Sequence, residues 1–181
     1  MNPDSPWLRA AFLLLTAIVV HEGAFRGLRI AGIRPDLLLA IGIVAAVVGT
    51  PEGGAILAFA AGLAGDLFVN TPFGLSGLVA SVVAYTAGSI QQGLGAHHRW
   101  SVPVLTGVAS AVAVLAWAAL GTVLGIPGLL RPHLLVVVAV VSCGNVVYSV
   151  PLTPVLRWVF AGLPGSVSNA GPSTGARGFL T

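Results

Sequence analysis

The sequence predicts an all-α fold: a polytopic membrane bundle of six transmembrane helices, forming one domain over residues 1–163. Three observations predict this fold: the composition is strongly apolar, long stretches lack charge, and prolines divide the chain into six segments. Hydrophobic residues make up 56% of the 181 residues and charged residues only 7%, whereas a soluble domain has about 25% charged residues. We therefore exclude soluble enzymes, nucleic-acid modules and disordered chains.

The few charges of the chain are isolated from one another. The net charge is +3, and all the basic residues apart from histidine are arginines. No two arginines are adjacent, so the sequence has no basic patch for a phosphate backbone, and we expect no nucleic-acid partner. The single cysteine, Cys143, lies in an apolar run, which excludes a disulfide framework and a cysteine-based metal site.

Charge-free stretches predict the spanning helices. No Asp, Glu or Arg lies between Asp66 and Arg99, between Arg99 and Arg131, or between Arg131 and Arg157. A helix that crosses a bilayer takes about 20 residues and satisfies its backbone groups internally. Because proline disfavours a helix interior, the proline-free segments set the limits of the spans. The predicted spans are about 7–25, 36–49, 52–69, 73–93, 102–125 and 133–150.

Two of these spans have alternative interpretations. The second is short, roughly 20 Å, and is either a re-entrant piece or, as we favour, a span that is tilted or shielded by its neighbours. The first resembles the apolar region of a signal peptide. Asp4 weakens the positive segment that would precede such a region, and no small-residue cleavage site follows Val20, so we expect a retained helix.

Tryptophans indicate the orientation, whereas arginines do not. With six spans, four arginines fall on each side of the membrane, so the positive-inside rule gives no preference. Trp7, Trp100 and Trp158 all fall at helix ends on the same side, as in an interfacial aromatic belt. We predict that both termini lie in the cytoplasm.

The sequence after Pro151 predicts a change of structure. Residues 152–163 have Arg157 and Trp158 in their middle and predict a short helix lying in the membrane interface. Residues 164–181 are rich in Gly, Ser, Pro and Asn, a composition that predicts a disordered cytoplasmic tail.

Small residues recur every four positions in the third and fourth segments. Gly54, Ala58 and Gly62 form a row that ends at Asp66, and Gly77 begins a comparable row. Residues four apart share one helix face, and small ones let helix backbones approach closely in lipid. We expect these rows to pack the bundle internally; the alternative is that one row is a docking face for a partner's helix.

Asp66 is the most informative polar residue, because acids within membrane helices are costly and usually functional. We expect it to pair with an arginine on its predicted outer side. A proton- or ion-coupling role and a capping or partner-contact role are the alternatives. The four candidate arginines are Arg26, Arg29, Arg34 and Arg131.

Other polar residues predict structural roles. Asp36 follows Pro35 at the start of the second segment, where an acid suits the positive end of the helix dipole. Ser142, Asn145 and Ser149 form a polar stripe on the sixth segment, suited to interhelical hydrogen bonds. No catalytic motif or phosphate-binding loop occurs, so the residues alone indicate a small six-helix membrane protein with few buried charges, and we expect no cofactor.

The segment from Arg34 to Leu94 contains three consecutive motifs. Pro35-Asp36-Leu37 opens an apolar helix, and a small-residue helix then ends in Gly62-Leu63-Ala64-Gly65-Asp66. The turn that follows reads Pro72-Phe73-Gly74-Leu75-Ser76-Gly77-Leu78. Together these motifs resemble those of the rod shape-determining protein MreD family, and the resemblance covers about a third of the chain. Its motifs supply the candidate partner-binding or structural residues Asp36, Gly62, Asp66, Pro72, Gly74 and Gly77.

The resemblance implies a multi-pass protein of the bacterial inner membrane, without enzyme activity, that acts in the wall-elongation machinery of rod-shaped cells. It implies binding to MreC, which has a single membrane helix, and work alongside RodA, its transpeptidase and MreB. It also implies a fold like the substrate-binding component of energy-coupling-factor transporters.

That fold supplies the main alternative, the substrate-binding membrane subunit of a vitamin-type transporter. Such subunits usually carry Ala-x-x-x-Ala on the first helix. Here Ala10, Ala11 and Ala17 are followed four residues later by Leu14, Leu15 and His21, so we favour the scaffold.

Overall fold

The computed structural model describes residues 6–23, 36–67, 74–94, 100–125 and 133–160. Within these ranges the protein contains six α-helices and no strand. Each helix lies on one of the six predicted segments. The helices are α1 (Pro6–Gly23), α2 (Leu37–Val48), α3 (Pro51–Asp66), α4 (Leu75–Leu94), α5 (Ser101–Val123) and α6 (His133–Val159). The predicted disordered tail, 164–181, lies outside the described residues.

Helix α2 is the centre of the bundle. Every residue from Leu38 to Val48 is buried, and α2 contacts all five other helices. Around it the neighbouring pairs are α1 with α3, α3 with α4, α4 with α5, α5 with α6, and α6 with α1. The 12 residues of α2 span about 18 Å. The second segment is therefore shielded by its neighbours, and its interpretation as a span or a re-entrant piece stays a prediction.

Capping residues place the junction between α2 and α3. Only Gly49 and Thr50 separate these helices. The Thr50 hydroxyl accepts a 3.1 Å hydrogen bond from Gly53 N–H, and Pro51 occupies the first turn of α3, where its missing N–H costs nothing. The short connection makes α2 and α3 antiparallel neighbours.

Helix α6 continues through two prolines, so the prediction of a break after Val150 and a separate helix at 152–163 is wrong. The helix runs to Val159 with Pro151 and Pro154 inside it. Tertiary packing holds the segment, because Leu156, Val159 and Phe160 are buried in the core. The Phe160 ring lies against Gly49 at the α2–α3 turn. These contacts offset the destabilisation that proline causes inside a helix. The sequence pattern shows the prolines but not the contacts that compensate for them.

The two ends of the bundle differ in their side chains. The aspartate end, as we name it, holds the start of α2 beside Asp36, the end of α3 at Asp66 and the start of α4 beside Gly74. The tryptophan end holds Trp100 before α5 and Trp158 near the end of α6. Both tryptophans are exposed, and the Arg9 guanidinium of α1 lies 4.9 Å from the Trp158 ring centroid.

Two of the described helices are long and apolar enough to cross a membrane, Ser101–Val123 and His133–Val159. Leu37–Val48 is apolar but shorter. The remaining helices carry more polar or charged residues or are shorter, as in α3, where Glu52 and Asp66 bound a stretch rich in Gly and Ala.

Candidate functional site

Asp66 caps the start of α4 from the end of α3. Its carboxylate is 5% exposed, and Oδ2 accepts hydrogen bonds from Gly74 N–H at 2.9 Å and from Ser76 N–H at 3.2 Å. The first N–H groups of a helix have no partner within the helix, and the helix dipole places partial positive charge there. A carboxylate at this position satisfies both needs. Capping was one of the alternative roles predicted for Asp66 from the sequence, and the described hydrogen bonds are helix-capping bonds.

The expected pairing of Asp66 with arginine is not tested by this structure. Arg26, Arg29, Arg34 and Arg131 all lie outside the described residues. Pro72, another predicted site residue, also lies outside them. The backbone N–H groups of the α4 start are therefore the partners of Asp66 that the described part of the chain supplies.

Gly74 allows the chain to reach Asp66. Its φ is +92°, a conformation that glycine adopts readily and that a Cβ atom disfavours. The Gly74 peptide N–H points to the Asp66 carboxylate at 2.9 Å, and α4 begins at the next residue. This conformation accounts for the glycine in the motif-bearing turn.

Gly62 and Gly77 face each other where α3 and α4 touch. A Cβ built on Gly62 would lie 2.6 Å from the Cα and N atoms of Gly77, and one built on Gly77 would lie 3.0 Å from the Phe59 carbonyl oxygen. Real Cβ atoms do not approach this closely, so the two backbones are in direct contact. The Asp66 cap and the Gly62–Gly77 contact join the same pair of helices. We name these two features together the α3–α4 clasp.

The other small residues of α3 and α4 pack against α2. A Cβ on Gly42 would lie 2.5 Å from Ala58 Cβ, and one on Gly88 would lie 2.7 Å from the Ala46 carbonyl oxygen. Gly54 meets the Ala46 backbone in the same way. The structure therefore shows these small residues in internal packing, which is the role that we expected for the rows. Gly42 was missed in the sequence, although a glycine inside an apolar helix signals close approach of another backbone.

Asp36 caps α2, as its position after Pro35 predicted. It has an extended conformation and precedes the first helical residue. Its Oδ1 accepts a 3.1 Å hydrogen bond from Leu39 N–H. Asp36 and Asp66 lie at the same end of the bundle, since Leu38 of α2 reaches Gly65 of α3, and both carboxylates satisfy helix starts.

A polar contact joins α5 to α6. Asn145 Nδ2 donates a 2.9 Å hydrogen bond to Ser110 Oγ, and both residues are fully buried. Ser149 instead donates to the Val146 carbonyl of its own helix. Asn145 Oδ1 and Ser142 Oγ are buried without a hydrogen-bond partner among the described residues. The polar stripe predicted on the sixth segment thus supplies one interhelical hydrogen bond, and its partner, Ser110, was not predicted.

The described residues contain no candidate metal-binding group. In residues 6–23, 36–67, 74–94, 100–125 and 133–160, no three His, Cys, Asp or Glu side chains come together in a group that could hold a metal ion. The buried polar groups with known partners cap helices or join them. Their described hydrogen bonds have structural roles.

The described residues form an α-helical bundle in which two helices are long and apolar enough to be candidate membrane spans. The family model described as rod shape-determining protein MreD matches residues 2–161, and the chain belongs to that family. The resemblance read from Arg34 to Leu94 is thereby confirmed, and the match extends over most of the chain. Membership gives the chain a role in determining rod shape. No curated protein and no solved structure matches it.

Proposed function

We propose that this chain is a non-enzymatic scaffold subunit of the bacterial wall-elongation machinery. It lies in the inner membrane, binds the single membrane helix of an MreC-like protein, and links that protein to RodA, its transpeptidase and MreB. The observation that carries the proposal is the family match over residues 2–161. The packing of the bundle supports it, because the buried carboxylate of Asp66 and the half-buried one of Asp36 serve as helix caps.

In this proposal all six helices cross the membrane, and both termini lie in the cytoplasm. The ring of helices around α2 supports this arrangement. Helix α2 is too short to span about 30 Å of hydrocarbon alone, but its neighbours bury it on every side and shield it from lipid. Trp100 and Trp158 lie at one end, where an interfacial belt would place them. The tryptophan end is then the cytoplasmic end and the aspartate end faces outward.

The transporter alternative receives less support from the bundle. A small-molecule pocket needs a few convergent polar groups around a space in the fold. The centre of the described bundle is instead occupied by α2, whose Gly42 and Ala46 touch the α3 backbone. No solved structure matches the chain, so the expected likeness to the energy-coupling-factor component stays a prediction.

Co-expression with the MreC-like protein of the same bacterium tests the proposed scaffold role. We expect the tagged chain to retain the MreC-like protein after detergent extraction and after washing. An unrelated single-span membrane protein, expressed at the same level, is the control and is not retained. Equal recovery of the two single-span proteins would contradict the proposal. Stoichiometric recovery of an ATP-binding cassette protein in place of the MreC-like protein would favour transport.

A further inference from the structure

An arginine and a tryptophan meet where the first and last helices come together. The Arg9 guanidinium of α1 lies 4.9 Å from the centroid of the Trp158 ring of α6. A cation at this distance over an indole face is attracted by the π electrons of the ring. The contact lies at the tryptophan end, near the start of α1 and the end of α6. These two helices otherwise touch only weakly, since α1 packs mainly on α2 and α3.

Positive charge is concentrated at this contact. Arg157 directly precedes Trp158, and both side chains are exposed, whereas Arg9 is half-buried. An arginine held by an aromatic ring keeps a planar array of N–H donors that matches the oxygens of a phosphate or carboxylate. Against these two arginines, the described residues at this end carry one acid, Glu52, which is exposed in the first turn of α3. The charge balance of the described part of this end therefore favours an anion.

Apolar side chains continue from the charged groups toward the interior of the bundle. Phe12 follows Arg9 by three residues and Val155 precedes Trp158 by three, so each shares a helix face with its neighbour. Both are exposed, Phe12 to 72% and Val155 to 44%. Helix α6 is a candidate span, and a tryptophan at the end of such a helix typically lies among lipid headgroups. Phe12 and Val155 then lie about 5 Å deeper, at the level of the acyl chains.

We propose that Arg9, Arg157 and Trp158 form a binding site for an anionic phospholipid at the seam between α1 and α6. The two guanidinium groups hold the headgroup phosphate, and Phe12 and Val155 contact an acyl chain. Basic groups between membrane helices are a recurrent recognition site for such headgroups. The bound lipid joins two helices that share few protein contacts. The inference uses the placement of the bundle in a membrane and is independent of the proposed partner protein.

An acidic protein segment or a free phosphate ion fits this site less well. Each supplies oxygens for the arginines, but neither covers the exposed apolar side chains that follow one turn deeper on both helices. A phospholipid supplies the anion and the apolar chain in one molecule, with the spacing between them that Arg9 and Phe12 require. The combination of charge and apolar surface therefore favours a lipid.

Fluorescence of Trp158 tests the site at its own position. In a chain with Trp7, Trp100 and Trp117 changed to Phe, Trp158 is the remaining tryptophan. The full-length chain is placed in phosphatidylcholine vesicles that contain a minor fraction of brominated phosphatidylglycerol or, for comparison, brominated phosphatidylcholine. Bromine quenches tryptophan on contact, so the quenching measures which lipid occupies the site. We expect the brominated phosphatidylglycerol to be preferred roughly tenfold or more, since two basic residues contribute.

Substitution of the arginines measures their contributions. Arg157→Gln removes an exposed charge and is expected to lower the preference about fivefold, the effect of one basic residue beside an anionic lipid. Arg9→Gln has a similar effect, and Arg9→Lys, which keeps the charge, retains most of the preference. Arg131→Gln is the control, because this arginine lies between α5 and α6 in the sequence, at the opposite end of the bundle. The variants elute from size exclusion as the parent chain does.

Four outcomes would overturn the inference. Equal quenching by the two brominated lipids would show that the site does not recognise charge. An effect of Arg131→Gln as large as that of Arg157→Gln would show diffuse attraction to the whole surface. Relief of the quenching by inorganic phosphate would assign the site to a free anion. Recovery of an acidic protein that depends on both Arg9 and Arg157, without any lipid preference, would assign it to a protein partner. None of these outcomes affects the proposed scaffold role.

Discussion

At the scale of single residues, Asp66 shows what a sequence can and cannot determine. Its place at the end of a small-residue helix marks it as important, and an acid there suggests an ion pair. Among the described residues its partners are two backbone N–H groups at the start of α4, and pairing with an arginine outside the described residues stays a prediction. No sequence pattern identifies such a cap, because the donor and acceptor lie on different helices and meet only after the intervening turn forms. Asp36 caps its own helix, and its role was therefore predictable.

Asp66→Ala is expected to destabilise the bundle by about 1–3 kcal/mol, because it leaves part-buried N–H groups at the start of α4 without their acceptor. Asp66→Asn keeps an oxygen acceptor and loses the charge at the helix dipole, which costs about 0.3–1 kcal/mol. Thermal unfolding of the detergent-solubilised protein measures both effects. Glu52→Gln is the control, since Glu52 is an exposed acid in the first turn of α3. A larger loss with Asn than with Ala would contradict the capping role.

Two glycine substitutions distinguish the effect of a close backbone contact from the effect of glycine on the conformational freedom of the chain. Gly62→Ala is expected to destabilise the bundle by about 1–3 kcal/mol, because the added Cβ overlaps the Gly77 backbone. Gly93→Ala is the matched control on α4, since a Cβ there meets nothing within 4 Å. It is expected to be neutral or to stabilise the helix by about 0.5–1 kcal/mol. Equal effects of the two variants on the unfolding temperature would rule out the Gly62–Gly77 contact.

At the scale of the elements, prolines predicted five helices to within a few residues and misplaced the end of the sixth. A proline usually stops a helix because it removes a hydrogen bond and clashes with the preceding turn. In α6 the residues after Pro151 bury Leu156 and Phe160 against the core, and Thr153 donates a 2.6 Å hydrogen bond to the Ser149 carbonyl. Such compensation depends on contacts between distant segments and is not visible in a local pattern.

The α5–α6 pair provides a prediction about its polar contact. We expect a coupling free energy of about 0.6 kcal/mol between Ser110 and Asn145, the average for interhelical hydrogen bonds in membrane proteins. A double-mutant cycle with Ser110→Ala, Asn145→Ala and the double variant measures it by unfolding in detergent. The same cycle with Asn145 and Val112, an exposed residue of α5, is the control. Additive effects at Ser110 and Asn145 would show that the 2.9 Å contact contributes nothing.

At the scale of the whole molecule, the sequence predicted the helical class and the family but not the arrangement of the helices. The short apolar segment indicated that α2 is shielded by neighbours or tilted, but not that it contacts all five other helices. That position follows from its lack of any polar face, combined with the small residues that α3 and α4 present to it. Helix order in the ring depends on these contacts between distant residues, which the order of segments along the chain does not contain.

The proposed topology predicts the location of two fusion points. Reporter fusions after Arg99 and after Thr181 should both report a cytoplasmic position, because an even number of spans precedes each. A fusion after Pro127, between α5 and α6, should report the extracytoplasmic side and serves as the control. A cytoplasmic signal after Pro127 would remove α5 from the spanning helices.

Cell shape tests the central claim most directly. The chain is expected to be required for rod shape in the bacterium that encodes it, so depletion should give cells that widen and round within a few generations. Expression of the wild-type chain should restore the ratio of length to width, and the Gly93→Ala variant should restore it equally. Cells that keep their length and width after complete depletion of the chain would contradict the claim.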